Sequence, residues 1–174
     1  RPGIVELISE VVLDFDGNVE TSRMMRLGGE FAVLMLVSVE QERLDALRSA
    51  VRGLREEGFK VATRITMGRD GGVYSEYTPY EITVSGADHE GIVHGVARYL
   101  GEQGINVETM GTSLTRAPMS GGSVFGMYAV VLAPPEITDD AIADGLDEIC
   151  GELGVDVAVV RWSNEPGGDQ EYDV

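Results

Sequence analysis

Lysine is almost absent from this 174-residue chain. Lys60 is the only one, and 13 basic residues face 30 acidic ones, for a formal net charge of −17. The imbalance is uneven, since residues 79–174 hold 17 acids and 3 arginines. Such a surface repels phosphate backbones and argues against direct DNA or RNA binding by that half. An acidic, lysine-poor surface suits a salt-rich cytoplasm; added solubility is the plainer reading. Cysteine is also scarce: Cys150 stands alone, so no internal disulfide forms, and its place in an apolar helical pattern predicts a buried, inert thiol. The two histidines, His89 and His94, are five positions apart with no cysteine beside them. That spacing favours satisfied or solvated rings over a metal site, and no Ser/His/Asp or Cys/His arrangement can be assembled. The glycine-rich stretch 120–126 lacks the Lys-Ser/Thr of a phosphate loop and reads as a hairpin loop. No apolar run approaches the roughly 20 residues that span a bilayer, and no charged-then-apolar leader opens the chain. A soluble, cytoplasmic protein without cofactor, metal or membrane partner is expected.

What the chain does have is a repeat. Gly3-Ile4-Val5 opens a helical pattern that runs to Asn18-Val19-Glu20-Thr21, and Gly91-Ile92-Val93 opens another that runs to Asn106-Val107-Glu108-Thr109. Both ends are displaced by 88 positions, the mark of a duplicated module. In the first copy Ile4, Val5, Ile8, Val11 and Val12 lie at helical spacing, followed by a strand from Val19 to Arg26 and a turn at Gly28-Gly29. The nearly continuous apolar run Phe31–Val37 predicts a central strand. Leu44, Leu47, Val51 and Leu54 stripe a second helix, whose arginines read as a solvated face. Gly58 ends it, and Phe59–Thr66 is predicted as the next strand.

The second copy repeats this order: strand 80–85, helix 92–102, strand 106–115, strand 125–132, a helix striped by Ile142, Leu146, Ile149 and Leu153, and strand 155–162. Asp139-Asp140 fall in the first turn of that last helix, where negative charge is favourable. The strand–strand loop is nine residues longer than in copy one. Each module is thus strand–helix–strand–strand–helix–strand, an α+β ferredoxin-like arrangement with two helices on one face of an antiparallel sheet. The first copy lacks its opening strand, which by analogy with residues 80–86 is expected about ten residues before Arg1. The division expected is a first module over 1–67, a linker over 68–78 ending at Pro79, a second module over 79–163, and a disordered acidic tail over 164–174.

The tandem βαββαβ copies, each with Gly-Ile-Val opening a helix and Asn-Val opening the next strand, resemble paired ACT domains. Glu20-Thr21-Ser22-Arg23-Met24, followed by Leu27-Gly28-Gly29-Glu30-Phe31-Ala32-Val33-Leu34-Met35-Leu36, is similar to the first domain of the glycine cleavage system transcriptional regulators. The resemblance implies a non-enzymatic accessory repressor, controlled by an amino acid such as glycine or serine, that acts on a partner transcription factor and not on DNA. It places ligand near the first loop and the following strand, where modules meet. The matching positions are Gly86, Asp88, Gly91, Ile92, Asn106 and Val107, with Gly3, Ile4, Asn18 and Val19 in copy one.

The chemistry of those residue types points the same way. Free N–H groups at the start of helix 92–102 suit a carboxylate, and Gly86 and Gly91 allow close backbone approach. Asp88 can accept from an α-ammonium group, and Asn106 or Asn18 both donates and accepts. The structural alternatives are turn glycines, Asp88 as a helix N-cap and asparagine as a turn former. Apolar sheet edges or helix faces make a homodimer plausible. Two other functions stay open. Val11-Val12-Leu13-Asp14-Phe15-Asp16 resembles the nucleophile strand of haloacid-dehalogenase-type phosphatases, in which Asp14 would attack phosphate and Asp16 serve as acid–base beside Mg²⁺. The other is an interaction module with no ligand.

Overall fold

The computed structural model describes residues 3–66, 74–116 and 121–162. Most of the expected linker, part of the glycine-rich loop and the expected tail therefore lie outside the described residues. In chain order the elements are α1 (Ile4–Leu13), β1 (Asn18–Leu27), β2 (Glu30–Ser38), α2 (Leu44–Gly53), β3 (Thr78–Ala87), α3 (Ile92–Glu102), β4 (Asn106–Arg116), β5 (Ser123–Ala133), α4 (Asp139–Glu152) and β6 (Val155–Arg161). The chain divides into two compact units, Arg1–Gly68 and Arg69–Val174. Both are α+β with antiparallel strands, as the repeat predicts. No helix among the described residues is long and apolar enough to cross a membrane.

The second unit is a four-stranded sheet in the order β4-β5-β3-β6. Its alternating sequence explains its layers. Tyr80, Ile82 and Val84 of β3 are buried while Thr83 and Ser85 are exposed, the period of two that puts one sheet face against helices. The buried face meets Ile92, Val96 and Leu100 of α3 and Ile142, Leu146 and Cys150 of α4 in one core. Cys150 is fully buried, as its apolar stripe predicts, and burial pushes its thiol pKa up, with Asp147 adding to the shift. Two glycines let the helices approach. A side chain at Gly95 would meet Leu153, and one at Gly145 would meet the Tyr99 ring.

The first unit departs from expectation in two places. Among the described residues its sheet has only β1 and β2. Residues 59–66, expected as a strand, join no ladder, although Phe59, Val61 and Thr63 are half-buried and alternate with exposed Lys60, Ala62 and Arg64. The apolar run in β2, expected to be central, is bonded on one side only. The reason lies in the topology of the second unit, where β5 and β6 are not neighbours and each pairs with β3. Residues 59–66 correspond to β6. With no counterpart of β3 in the first unit among the described residues, they have no strand to bond. Burial follows the same logic: alternate residues of β5 from Phe125 to Ala133 are buried, whereas none of β2 is. The hydroxyl of Thr63 is buried without a partner, a further sign of the gap.

Candidate functional site

The two helices that open the repeats begin in the same way. Gly3 and Gly91 are their N-caps, with φ of 86° and 99°. That left-handed backbone strains any residue with a Cβ, which explains the glycine at both positions. The first helical bonds also match: Leu7 N–H donates to the Gly3 carbonyl at 3.0 Å and Gly95 N–H to the Gly91 carbonyl at 2.8 Å. No side chain caps either helix. Asp88, read as a possible N-cap, caps nothing; its backbone N–H donates to Ser123 and its side chain is exposed. By contrast, Thr138 caps α4 by accepting from the Ala141 N–H at 3.2 Å. The first turns of α1 and α3 thus present N–H groups and positive dipole without a side-chain acceptor. Ile92 is buried beneath this turn, while Ile4 is half-buried. In the first unit a cleft of about 680 Å³ opens here, lined by Gly3, Ile4, Val5, Glu6, Arg26, Gly29 and Phe31.

Gly86 has a packing task. It pairs with Val155 of β6, and a Cβ there would stand 2.7 Å from Val155 Cγ1 and 3.0 Å from Val155 Cα. The missing side chain is what lets β3 and β6 lie side by side at this rung.

The repeated Asn-Val-Glu-Thr is a β-bulge. Register slips between Val19 and Thr21 in β1 and between Val107 and Thr109 in β4, so Glu20 and Glu108 are the extra residues. Asn106 Nδ2 donates to Glu108 Oε1 at 2.7 Å, and Asn18 Nδ2 to Glu20 Oε1 at 3.1 Å. Ser38 also donates to the Glu20 carboxylate. Each asparagine therefore has its amide nitrogen engaged by the bulge glutamate. Val19 and Val107 stand about 37% and 40% exposed beside it. The two glutamates were missed as site residues, although they lie inside the repeated tetrad; the duplication itself was the signal.

These groups do not converge within one module. On β5, Gly86 pairs with Phe125 whereas Asn106 pairs with Leu132. Seven residues of strand separate them, roughly 23 Å at the usual rise. The first unit is split likewise, with Arg26 of the cleft at the hairpin end of β1 and Asn18 at the other. Each module thus offers a glycine–helix end carrying Gly3 and Ile4, or Asp88, Gly91 and Ile92. At the far end it offers an asparagine end carrying Asn18 and Val19, or Asn106 and Val107.

The phosphatase reading fails on geometry. It needs Val11–Leu13 to be a strand delivering Asp14, but these residues close α1, and Asp14 is its exposed C-cap. Asp16 follows in the left-handed region at φ 51°, where Gly104 stands in the second copy at φ 68°. The chain reversal is the same in both, Gly17 N–H bonding Val12 O at 3.0 Å and Ile105 N–H bonding Leu100 O at 2.8 Å. Asp16 is paired with Arg43. The Asp-x-Asp is a helix terminus.

At the far end of the second sheet, the buried Tyr80 hydroxyl donates to Asp139 in the first turn of α4, and Arg161 lies 3.8 Å from the same carboxylate. Burial first, then the bond to Asp139 and its charge, push the Tyr80 pKa up to about 12. Because the folded pKa lies above the ordinary value of 10.0, its contribution to stability is complete below pH 10 and is lost as pH rises towards 12. An ultraviolet titration should show a tyrosine ionising late, near pH 12, and Tyr80→Phe should remove that step. A late step that persists in Tyr80→Phe, or no late step at all, would contradict the network.

Fold and repeat together define a protein of tandem ferredoxin-like modules. A family model for the ACT domain matches residues 1–63. An unknown protein from Galdieria sulphuraria, known from its crystal structure, is 32% identical with a TM-score of 0.81, over 94% of this chain and 92% of that one. A candidate glycine cleavage system transcriptional repressor, also solved as a crystal structure, is 18% identical with a TM-score of 0.69 over 94% of this chain and 92% of its own; this likeness is one of fold. No curated protein matches the chain. The chain belongs to the ACT-domain family.

Proposed function

We propose that this protein is a non-enzymatic amino-acid sensor, an accessory transcriptional regulator that binds a small amino acid such as glycine or serine and acts through a protein partner. The observation that carries the reading is the duplicated, uncapped, glycine-initiated helix start in α1 and α3, a setting that favours a ligand carboxylate. Since the asparagine end of each module lies far from its own glycine–helix end, the site is composite. A second copy of the chain, in a homodimer, brings the asparagine end of a module to the glycine–helix end of the same module in the first copy. The ligand carboxylate takes the helix N–H groups, and the asparagine oxygen takes the ammonium. Bound ligand then favours one arrangement of modules and alters what the partner meets.

A thermal-shift screen of the full chain against the twenty amino acids, each beside its carboxamide, tests this reading. Stabilisation by a small amino acid, lost with its amide, is the expected result. No shift with any amino acid would leave a ligand-free interaction module as the function.

A further inference from the structure

His89 lies in the loop between β3 and α3, exposed to solvent, and both of its ring nitrogens meet backbone carbonyls. Nδ1 is 2.9 Å from the carbonyl oxygen of Glu90, next to it in the chain. Nε2 is 2.6 Å from the carbonyl oxygen of Leu153, 64 residues away. A carbonyl only accepts. A neutral imidazole has one N–H to give, and its other nitrogen is itself an acceptor. Two carbonyls are therefore satisfied together only by the imidazolium. Leu153 is the C-cap of α4, where the last carbonyls are unpaired and the helix dipole is negative, a favoured seat for a cation. α4 places no basic residue of its own in its last turn. His89 fills that seat from another element.

We infer that His89 is a proton-operated clasp: as imidazolium it ties the β3–α3 loop to the end of α4, and on losing the Nε2 proton it keeps the local bond to Glu90 and releases the Leu153 carbonyl. The consequence is mechanical. The held segment includes Asp88 and leads into Gly91, which starts α3. The other jaw, Leu153, packs where a Cβ on Gly95 of α3 would stand, 2.9 Å from its Cδ1. Opening the clasp frees the loop while the core below it stays intact. The inference stands whether or not the loop binds an amino acid.

The surrounding charges favour the closed form. Asp88 and Glu90 on the same loop are acidic; the end of α4 carries Glu148 and Glu152; α3 carries His94 in its first turn and Arg98 one turn on; and β6 begins with Val155-Asp156. The two carbonyl bonds, Glu90 first and Leu153 next, raise the His89 pKa above its ordinary 6.5, with smaller help from the Glu90 and Asp88 charges. A folded value above the unfolded one means the clasp is complete below pH 6.5 and lost as pH rises through the raised value.

Nuclear magnetic resonance on the full chain tests this directly, because only two histidines have to be told apart and His94→Gln leaves one. The expected result is a His89 ring protonated at both nitrogens at pH 6, with a titration midpoint above 6.5. Amide protection at 88–91 and 153–155, corrected for intrinsic exchange, should fall across that midpoint. His89→Gln, a neutral replacement at an exposed position, should fold normally and show the unprotected values at every pH. A midpoint at or below 6.5 would overturn the inference, as would protection in these segments that is the same in wild type and His89→Gln throughout.

Discussion

Gly86→Val costs the second module about 3 kcal/mol and lowers its melting temperature by roughly 12–24 °C, the shift that such a loss produces in a domain of this size. The sign follows from what the new side chain meets. Even a lone Cβ would stand 2.7 Å from Val155 Cγ1 and 3.0 Å from the Val155 backbone. A flexible side-chain tip could swing aside, but the Cα of a paired strand cannot. Gly86→Ala should lie between wild type and valine. Thermal melts followed by far-ultraviolet circular dichroism measure both, and a valine variant that melts within a few degrees of wild type would show that β6 does not lie against β3 at this rung. The same experiment separates two roles for this glycine: a ligand-approach glycine would lose binding without losing stability.

Ile82→Ala should destabilise the chain by about 2–5 kcal/mol, whereas Val33→Ala should cost under about 1 kcal/mol. Both positions are β-branched residues in apolar strands, and sequence alone ranks them alike. Ile82 is 0% exposed and bonded on both sides, in a strand between β5 and β6. Val33 is only half-buried, in a strand with one partner. Urea midpoints at constant slope distinguish the two, and equal losses would mean that the first module is as tightly packed as the second.

The difference between the modules marks how far the sequence could be read. The 88-residue repeat, the order of elements and the helix boundaries were legible because they depend on local pattern: Gly-Ile-Val at a helix start, the apolar stripe that follows it, and alternation in 80–85. The failures were of pairing. Phe59–Thr66 has the alternation of a strand, and Phe31–Val37 the continuous apolar run of a central one, but a strand is defined by its neighbour, and β5 and β6 each depend on β3. A repeat reports that two segments are alike and is silent about a partner present beside only one of them. The candidate site was legible as residues and not as a place. Gly91 and Asn106 are close in sequence and each has suitable chemistry, yet an 11-residue helix carries the chain from one end of the module to the other between them. Their separation is a consequence of topology. The engagement of Asn106 by Glu108, and of Asn18 by Glu20, depends on a bulge that no periodicity announces.

The composite site is the central claim, and amide chemical-shift mapping of the full chain during titration with the stabilising amino acid tests it most directly. The account predicts that a glycine–helix end, Gly91-Ile92 or Gly3-Ile4, and an asparagine end, Asn106-Val107 or Asn18-Val19, shift together along one binding curve. They should do so despite lying roughly 23 Å apart within a module. Shifts confined to one kind of end, or two curves of different affinity, would contradict it.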